Sequence, residues 1–224
     1  MSKTIEIMDT TLRDGEQTSG VSFSVSEKLT LAKLLLKELN IDRIEIASAR
    51  VSDGEFNAVK EITSWGIQNN CIDRIEVLTF VDNGSSIKWM KEAGAKVQNL
   101  LTKGSLNHLN FQLKQKPEEH FNNIKNSIEC ALNEGFKTNV YLEDWSNGML
   151  NSQDYVFQYL DFISKQPVNR ILLPDTLGIL TPDKTSEYIN TIINRYPNLH
   201  FDFHGHNDYD LSVANCMEAV KAGV

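Results

Sequence analysis

The stretch RILLPDTLGILTPDKTSEYINTIINRY, residues 170–196, decides the fold. Its first seven residues, 170–176, are β-rich and end in Asp175 and Thr176, and they predict a strand. Thr181-Pro182 then supplies a helix start, with a capping hydroxyl followed by a proline at the first helical position. Ile189, Ile192, Ile193 and Tyr196 recur at helical spacing and mark the buried stripe. The unit is therefore a strand, a loop and an amphipathic helix.

The same unit appears in both directions along the chain. Ahead of it lies HFDFHGH (200–206), with DLSVANCMEAVKAG as its helix. Behind it lies TNVYLED (138–144), with a helix from about Ser152. KVQNLLT (96–102) precedes a helix that opens at Pro117 and ends at Gly135. RIEVLTF (74–80) precedes one that stops at Gly94. RIEIAS (43–48) precedes one that starts near Ser52 or Asp53. The first strand is IEIMDTT (5–11). In the helix after it, Ser24 and Glu27 have capping-box spacing, and Leu31, Ala32, Leu35, Leu36 and Leu39 form the stripe.

Seven strands separated by helices predict a parallel sheet, because parallel neighbours need a crossover between them. No Gly-rich G-x-G-x-x-G or P-loop segment follows any strand, so a dinucleotide-type open sheet has no support. The expected fold is a (β/α)8 TIM barrel with seven β/α units, a single catalytic domain over residues 1–224 truncated before strand eight. Such a barrel leaves its first and seventh strands as open edges.

Composition narrows the function. The 224 residues are 41% hydrophobic, enough for a core, and carry a net charge of −8 with no Lys/Arg block. That argues against nucleic acid and against an anionic membrane surface. MSKTIEIMDT has no apolar h-region, and no apolar run approaches the ~20 residues of a membrane span. Cys71, Cys130 and Cys216 are odd in number and far apart, which fits a reducing cytoplasm. The expected location is cytoplasmic.

In a barrel of this kind chemistry sits at the C-terminal ends of the strands. Polar residues gather there: Arg13 and Asp14 after strand one, Tyr141 and Glu143 on strand five, Asp175 and Thr176 on strand six, His204 and His206 on strand seven. His204 and His206 are two apart, so they share a face with their roots ~7 Å apart. Two imidazoles and the Asp14 carboxylate suit a divalent metal. The competing reading leaves both histidines as ordinary strand-end polar residues. Arg13 beside Asp14 suits a substrate oxygen that gains negative charge. Glu143 fits a general base, or else the partner of a buried basic group. Thr176 fits a donor to a substrate carboxylate, or else a hydroxyl that satisfies backbone.

DTTLRDGEQ (9–17) and FHGHND (203–208) resemble the signature stretches of the metal-dependent acyl-CoA-condensing barrels. These are the isopropylmalate, homocitrate and citramalate synthases, with hydroxymethylglutaryl-CoA lyase as a cousin. IEIASARVSDGE, NLLTKGSLNHL, NVYLEDWSNG and LPDTLGILTP resemble the citramalate synthases most. The resemblance implies condensation of acetyl-CoA with a 2-oxo acid, pyruvate first, in branched-chain amino acid (isoleucine or leucine) biosynthesis. It implies Asp14, His204 and His206 as ligands of Mn²⁺, Mg²⁺ or Zn²⁺. It implies Arg13 at the keto oxygen, Thr176 at the carboxylate, and Leu78, Leu101 and Tyr141 around a small acyl pocket. It places Glu143 near the acetyl methyl, and it implies a homodimer for the full-length protein.

The family's strand-eight segment, whose asparagine completes the metal shell, and its C-terminal subdomains are expected to be missing from this stretch. Within the family the rival is isopropylmalate synthase, and two pocket leucines favour the smaller pyruvate. A lyase would bring a catalytic cysteine after strand eight. From another class, the rival is a non-catalytic fragment that recruits a partner through its open edges.

Overall fold

The computed structural model describes residues 4–224; the first three residues of the N-terminal stretch read above lie outside the described residues. β1 (Met8–Asp9) leads to α1 (Val25–Lys33), which continues as a π turn over Leu34–Glu38. β2 (Arg43–Ser48) leads to α2 (Asp53–Gln68), and β3 (Ile75–Phe80) to α3 (Ser85–Glu92). β4 (Val97–Lys103) is followed by α4 (Leu106–His108), a second π turn over Leu109–Leu113 and α5 (Pro117–Asn133). After β5 (Lys137–Glu143) come α6 (Trp145–Asn151) and α7 (Gln153–Ile163). β6 (Arg170–Asp175) leads to α8 (Pro182–Arg195), and β7 (Phe201–Gly205) to α9 (Ser212–Ala222).

The strands form one sheet in chain order, β1 to β7. The pairs β1–β2, β2–β3, β5–β6 and β6–β7 are parallel. This is the strand order of a (β/α) barrel, in which each helix carries the chain back to the start of the next strand. In the register Glu45 lies opposite Glu76, and Pro174 opposite His204.

Local chemistry sets the element ends. Ser24 and Glu27 complete a reciprocal capping box at α1. The Ser52 hydroxyl accepts the Glu55 amide at the start of α2, and Thr181 accepts the Lys184 amide with Pro182 at the first turn of α8. Gly94 and Gly135 take positive φ just beyond α3 and α5, a backbone state that glycine adopts without steric cost.

Three expectations need correction. β1 has two residues rather than seven. The Asp42 carboxylate takes the Ile7 amide, and the Asp9 carboxylate takes the Thr11 amide and hydroxyl, so side chains end the ladder on both sides. Leu39 does not join the α1 stripe; it is 67% exposed. The π turn, closed by the Leu39 amide on the Leu34 carbonyl, adds a residue to the last turn and rotates Leu39 outward. Strand seven ends at Gly205, which leaves His206 just past it.

The chain packs as two compact units. One comprises residues up to Leu100 together with Glu129–Lys137, the other Leu101–Ile128 together with Thr138–Val224. In the first, Ile44 and Ile46 of β2 and Ile75 and Val77 of β3 join Val59 and Ile62 of α2 in one fully buried cluster. Burying each such side chain contributes roughly 1.5–3 kcal/mol. In the second, Phe121 of α5 stacks on Phe162 and meets Tyr159 edge-on, while buried Trp145 meets Tyr188 and Phe203 edge-on. No helix among the described residues is long and apolar enough to cross a membrane. The three cysteines are free thiols.

Candidate active site

In the first unit the site begins where the chain leaves β1. The Thr10 carbonyl accepts the amides of Arg13, Asp14 and Gly15, which folds DTTLRDGEQ into a tight loop anchored by fully buried Leu12. Arg13 donates from Nη1 to Asp14 Oδ1 at 2.7 Å and from Nε to Glu45 Oε2 at 2.5 Å. Glu45 is fully buried on β2, and its other oxygen accepts Asn99 Nδ2 at 2.6 Å. Charge-assisted bonds on both sides fix the plane of the guanidinium.

Glu45 is a residue that the sequence reading missed. The signal was present: RIE occurs in both RIEIAS and RIEVLTF, and places an acid inside an otherwise apolar strand. A carboxylate there is costly to bury unless it is paired. Its counterpart Glu76 is held by Arg43 at 3.0 Å, yet burial still pushes its carboxyl above the ordinary range. Leu78, the expected pocket residue of β3, is 4% exposed in this unit.

In the second unit His204 stands on β7 and His206 one step beyond it. Their rings stack in parallel, 4.9 Å between centroids and 1° between planes. The period-two reading anticipated a shared face, and the rings have it. Tyr141 of β5, almost fully buried, brings its hydroxyl to 3.4 Å from His204 Nδ1. A polar partner at one ring nitrogen fixes the ring's orientation and directs the other nitrogen. Leu101 of β4 is half-buried in this unit.

Glu143 closes β5 and forms an ion pair with Lys103, with His108 Nδ1 4.0 Å away. A basic partner is what the alternative reading of Glu143 required. The same ion pair also holds the carboxylate in a fixed position. Lys103 is oriented in turn, since its amide donates to His120 Nε2 at 3.2 Å. Burial and the Lys103 charge depress the His120 imidazole to about 4, so it stays neutral near pH 7.

Asp144 follows in a left-handed conformation, φ 66°. Its buried carboxylate accepts from Ser105 Oγ at 2.6 Å and from Asn147 Nδ2 at 2.7 Å. Its amide donates to Thr176 Oγ1 at 2.9 Å. Thr176 therefore does satisfy backbone, as its alternative reading had it. It does so through its oxygen, which leaves the hydroxyl hydrogen to donate elsewhere. Asp175 is a loop-builder: it is fully buried and accepts the amides of Ile179 and Leu180.

The structure thus joins Arg13 to Asp14, His204 to His206 and Tyr141, and Thr176 to the corner beside Glu143. In the first unit the arginine is the residue type that meets an anionic oxygen, and in the second the paired imidazoles are the donor type that a divalent cation takes.

The chain is 33% identical over 226 residues to the 2-isopropylmalate synthase of Pyrococcus furiosus, covering 100% of this chain and 44% of that one. It is 32% identical over 219 residues to the (R)-citramalate synthase of Methanocaldococcus jannaschii, covering 98% and 43%. It thus spans under half the length of these relatives. Among solved structures, a hydroxymethylglutaryl-CoA lyase from Pseudomonas aeruginosa superposes with a TM-score of 0.79 at 16% identity, over 99% of this chain and 74% of that one. That likeness shows the fold, a TIM-barrel-like one. Residues 4–224 match the HMGL-like family, and the chain belongs to it.

Proposed function

We propose that the protein carrying this chain condenses acetyl-CoA with a 2-oxo acid, pyruvate first, to give citramalate. Residues 1–224 would form its catalytic barrel domain, in a homodimer of the full-length protein located in the cytoplasm. The carrying observation is the stacked His204–His206 pair, oriented by Tyr141 at a strand end. The synthase relatives support the reaction class.

In this reading Asp14, His204 and His206 hold a divalent cation, Mn²⁺, Mg²⁺ or Zn²⁺. Each offers one donor atom, a carboxylate oxygen or an imidazole nitrogen. The donor set fits: two imidazoles and one carboxylate leave positions open for substrate and water. Such a cation supplies Lewis acidity toward a bound oxo acid.

The chain's own residues do the rest. Arg13, its plane fixed by Glu45, presents positive charge to the keto oxygen as that oxygen becomes an alkoxide. Thr176 donates its hydroxyl hydrogen to the substrate carboxylate. Glu143, held by Lys103, takes the proton from the acetyl methyl. Leu78, Leu101 and Tyr141 line the pocket for the 2-oxo acid side chain. Hydrolysis of the thioester then makes the condensation irreversible.

A second reading has direct support. Several relatives are named for 2-isopropylmalate, and a few methylenes in an apolar pocket discriminate by only ~1–3 kcal/mol each. A thiol-release assay with acetyl-CoA and a panel of 2-oxo acids separates the two. Fastest release with pyruvate supports citramalate, and fastest release with 2-oxoisovalerate overturns it in favour of isopropylmalate. Release with no 2-oxo acid of the panel overturns the condensation itself.

A further inference from the structure

Lys28 has no counterpart among the groups assigned so far. It lies on α1 and is 1% exposed. An isolated ammonium so placed costs several kcal/mol, so its partners indicate what it is kept for. Its Nζ donates to the Leu12 carbonyl at 3.0 Å and the Ile46 carbonyl at 3.4 Å. It also pairs with Glu16 at 2.6 Å and Glu55 at 2.5 Å.

The two carbonyls are informative. Leu12 immediately precedes Arg13, and Ile46 immediately follows Glu45. Arg13 and Glu45 are the two ends of the ion pair that fixes the guanidinium. One ammonium therefore holds the backbone on both sides of that pair. Glu16 belongs to the same loop as Arg13, and Glu55 to the first turn of α2. The group forms one wall of a cavity of about 670 Å³ that Arg13 also lines.

We propose that Lys28 is a positioning residue: by bridging the Leu12 and Ile46 carbonyls it keeps the Arg13 guanidinium and the Glu45 carboxylate in register for work on the substrate. This rests on the reading that Arg13 acts on the 2-oxo acid. Lys28 touches no substrate and acts through Arg13. Misplacement of a catalytic group by about an ångström can cost ~100-fold in rate, which sets the scale of the effect.

The test compares Lys28→Met with the wild type by two readouts. The first is the Arg13 Nε–H resonance in protein labelled with ¹⁵N-arginine. It needs neither substrate nor metal. In the wild type it should be shifted downfield and exchange slowly, and in Lys28→Met it should move toward the solvent-exposed position and exchange faster. The second is thiol release. Lys28→Met is expected to lower kcat by ~10–100-fold with the KM for acetyl-CoA little changed, and to cost under ~3-fold more in an Arg13→Ala background.

An unchanged Arg13 resonance in folded Lys28→Met, or the same fractional loss in both backgrounds, overturns the proposal. Should Lys28→Met fail to fold, Lys28→Arg carries the test. It keeps the charge between Glu16 and Glu55 but replaces the ammonium by a planar guanidinium fork, which changes the donor geometry at the two carbonyls, and an unshifted resonance there overturns the proposal too. If the wild-type protein releases no thiol with any 2-oxo acid, the functional reading has failed. The resonance still decides the role of Lys28.

Discussion

Arg13 donates to two carboxylates at once, Asp14 and Glu45, and those two have different tasks in the proposed site. Asp14 is offered to the cation; Glu45 is buried and serves the arginine. The two kinds of loss should therefore separate. Arg13→Ala is expected to reduce turnover by ~10²–10³-fold while the protein still binds Mn²⁺, as measured by thiol release alongside calorimetric titration. Comparable turnover would remove Arg13 from the chemistry. At this scale the sequence was most legible where residue type and short spacing suffice. His204 on β7 and His206 just past its end are two residues apart, and their rings stack as that spacing implies. Glu45 was illegible as a partner, because what it holds is 32 residues away and only folding brings the two together. The partner of Glu143 was illegible for the same reason: the sequence offers many basic residues and does not say that Lys103 is the one.

At the scale of elements, strands and capped helices follow their local signals, while segments stabilised by tertiary contacts do not. WSNGMLN in α6 reads as a loop, since Ser, Asn and Gly are poor helix formers. Trp145, fully buried against Tyr188 and Phe203, overrides that preference. Gly148 shows how closely α6 is seated: a Cβ there would run into the Gly104 carbonyl and come within 2.8 Å of Val156 Cγ2. Gly148→Ala is therefore expected to destabilise the protein by ~1–3 kcal/mol despite the better helix propensity of alanine, as read from urea unfolding. A neutral or stabilising effect would contradict this packing.

The α5 helix carries a pH-dependent contribution of its own. His120 is depressed to about 4 by burial and by Lys103, against an ordinary value of 6.5. As pH falls through 6.5 the unfolded chain takes up the proton first, so stability is lost between about pH 6.5 and 4, by up to ~3 kcal/mol. His120→Gln keeps an acceptor for the Lys103 amide and removes the titration. Its unfolding free energy should fall less than that of the wild type over this range. Parallel pH profiles would show that His120 is protonated in the folded state as readily as in the unfolded one.

For the whole molecule, the order β1 to β7 and membership of the HMGL-like family fix the architecture. The architecture was legible because each unit repeats one pattern, and a parallel sheet is the solution open to strands so separated. The substrate was less legible. In the proposed reading Leu78 and Leu101 favour a small side chain, yet relatives of nearly equal identity are named for different 2-oxo acid products. Pocket size is set by a few apolar contacts whose individual effects are small, and such differences leave little trace in a single sequence.

Everything catalytic in this account depends on one cation held by a carboxylate and two imidazoles. Calorimetric titration of Mn²⁺ into the protein, the Asp14→Ala variant and the His204→Ala variant tests it directly. One site is expected in the wild type, and affinity weakened by at least ~10–100-fold in each variant, with both variants still folded. Wild-type affinity retained in both variants would contradict it.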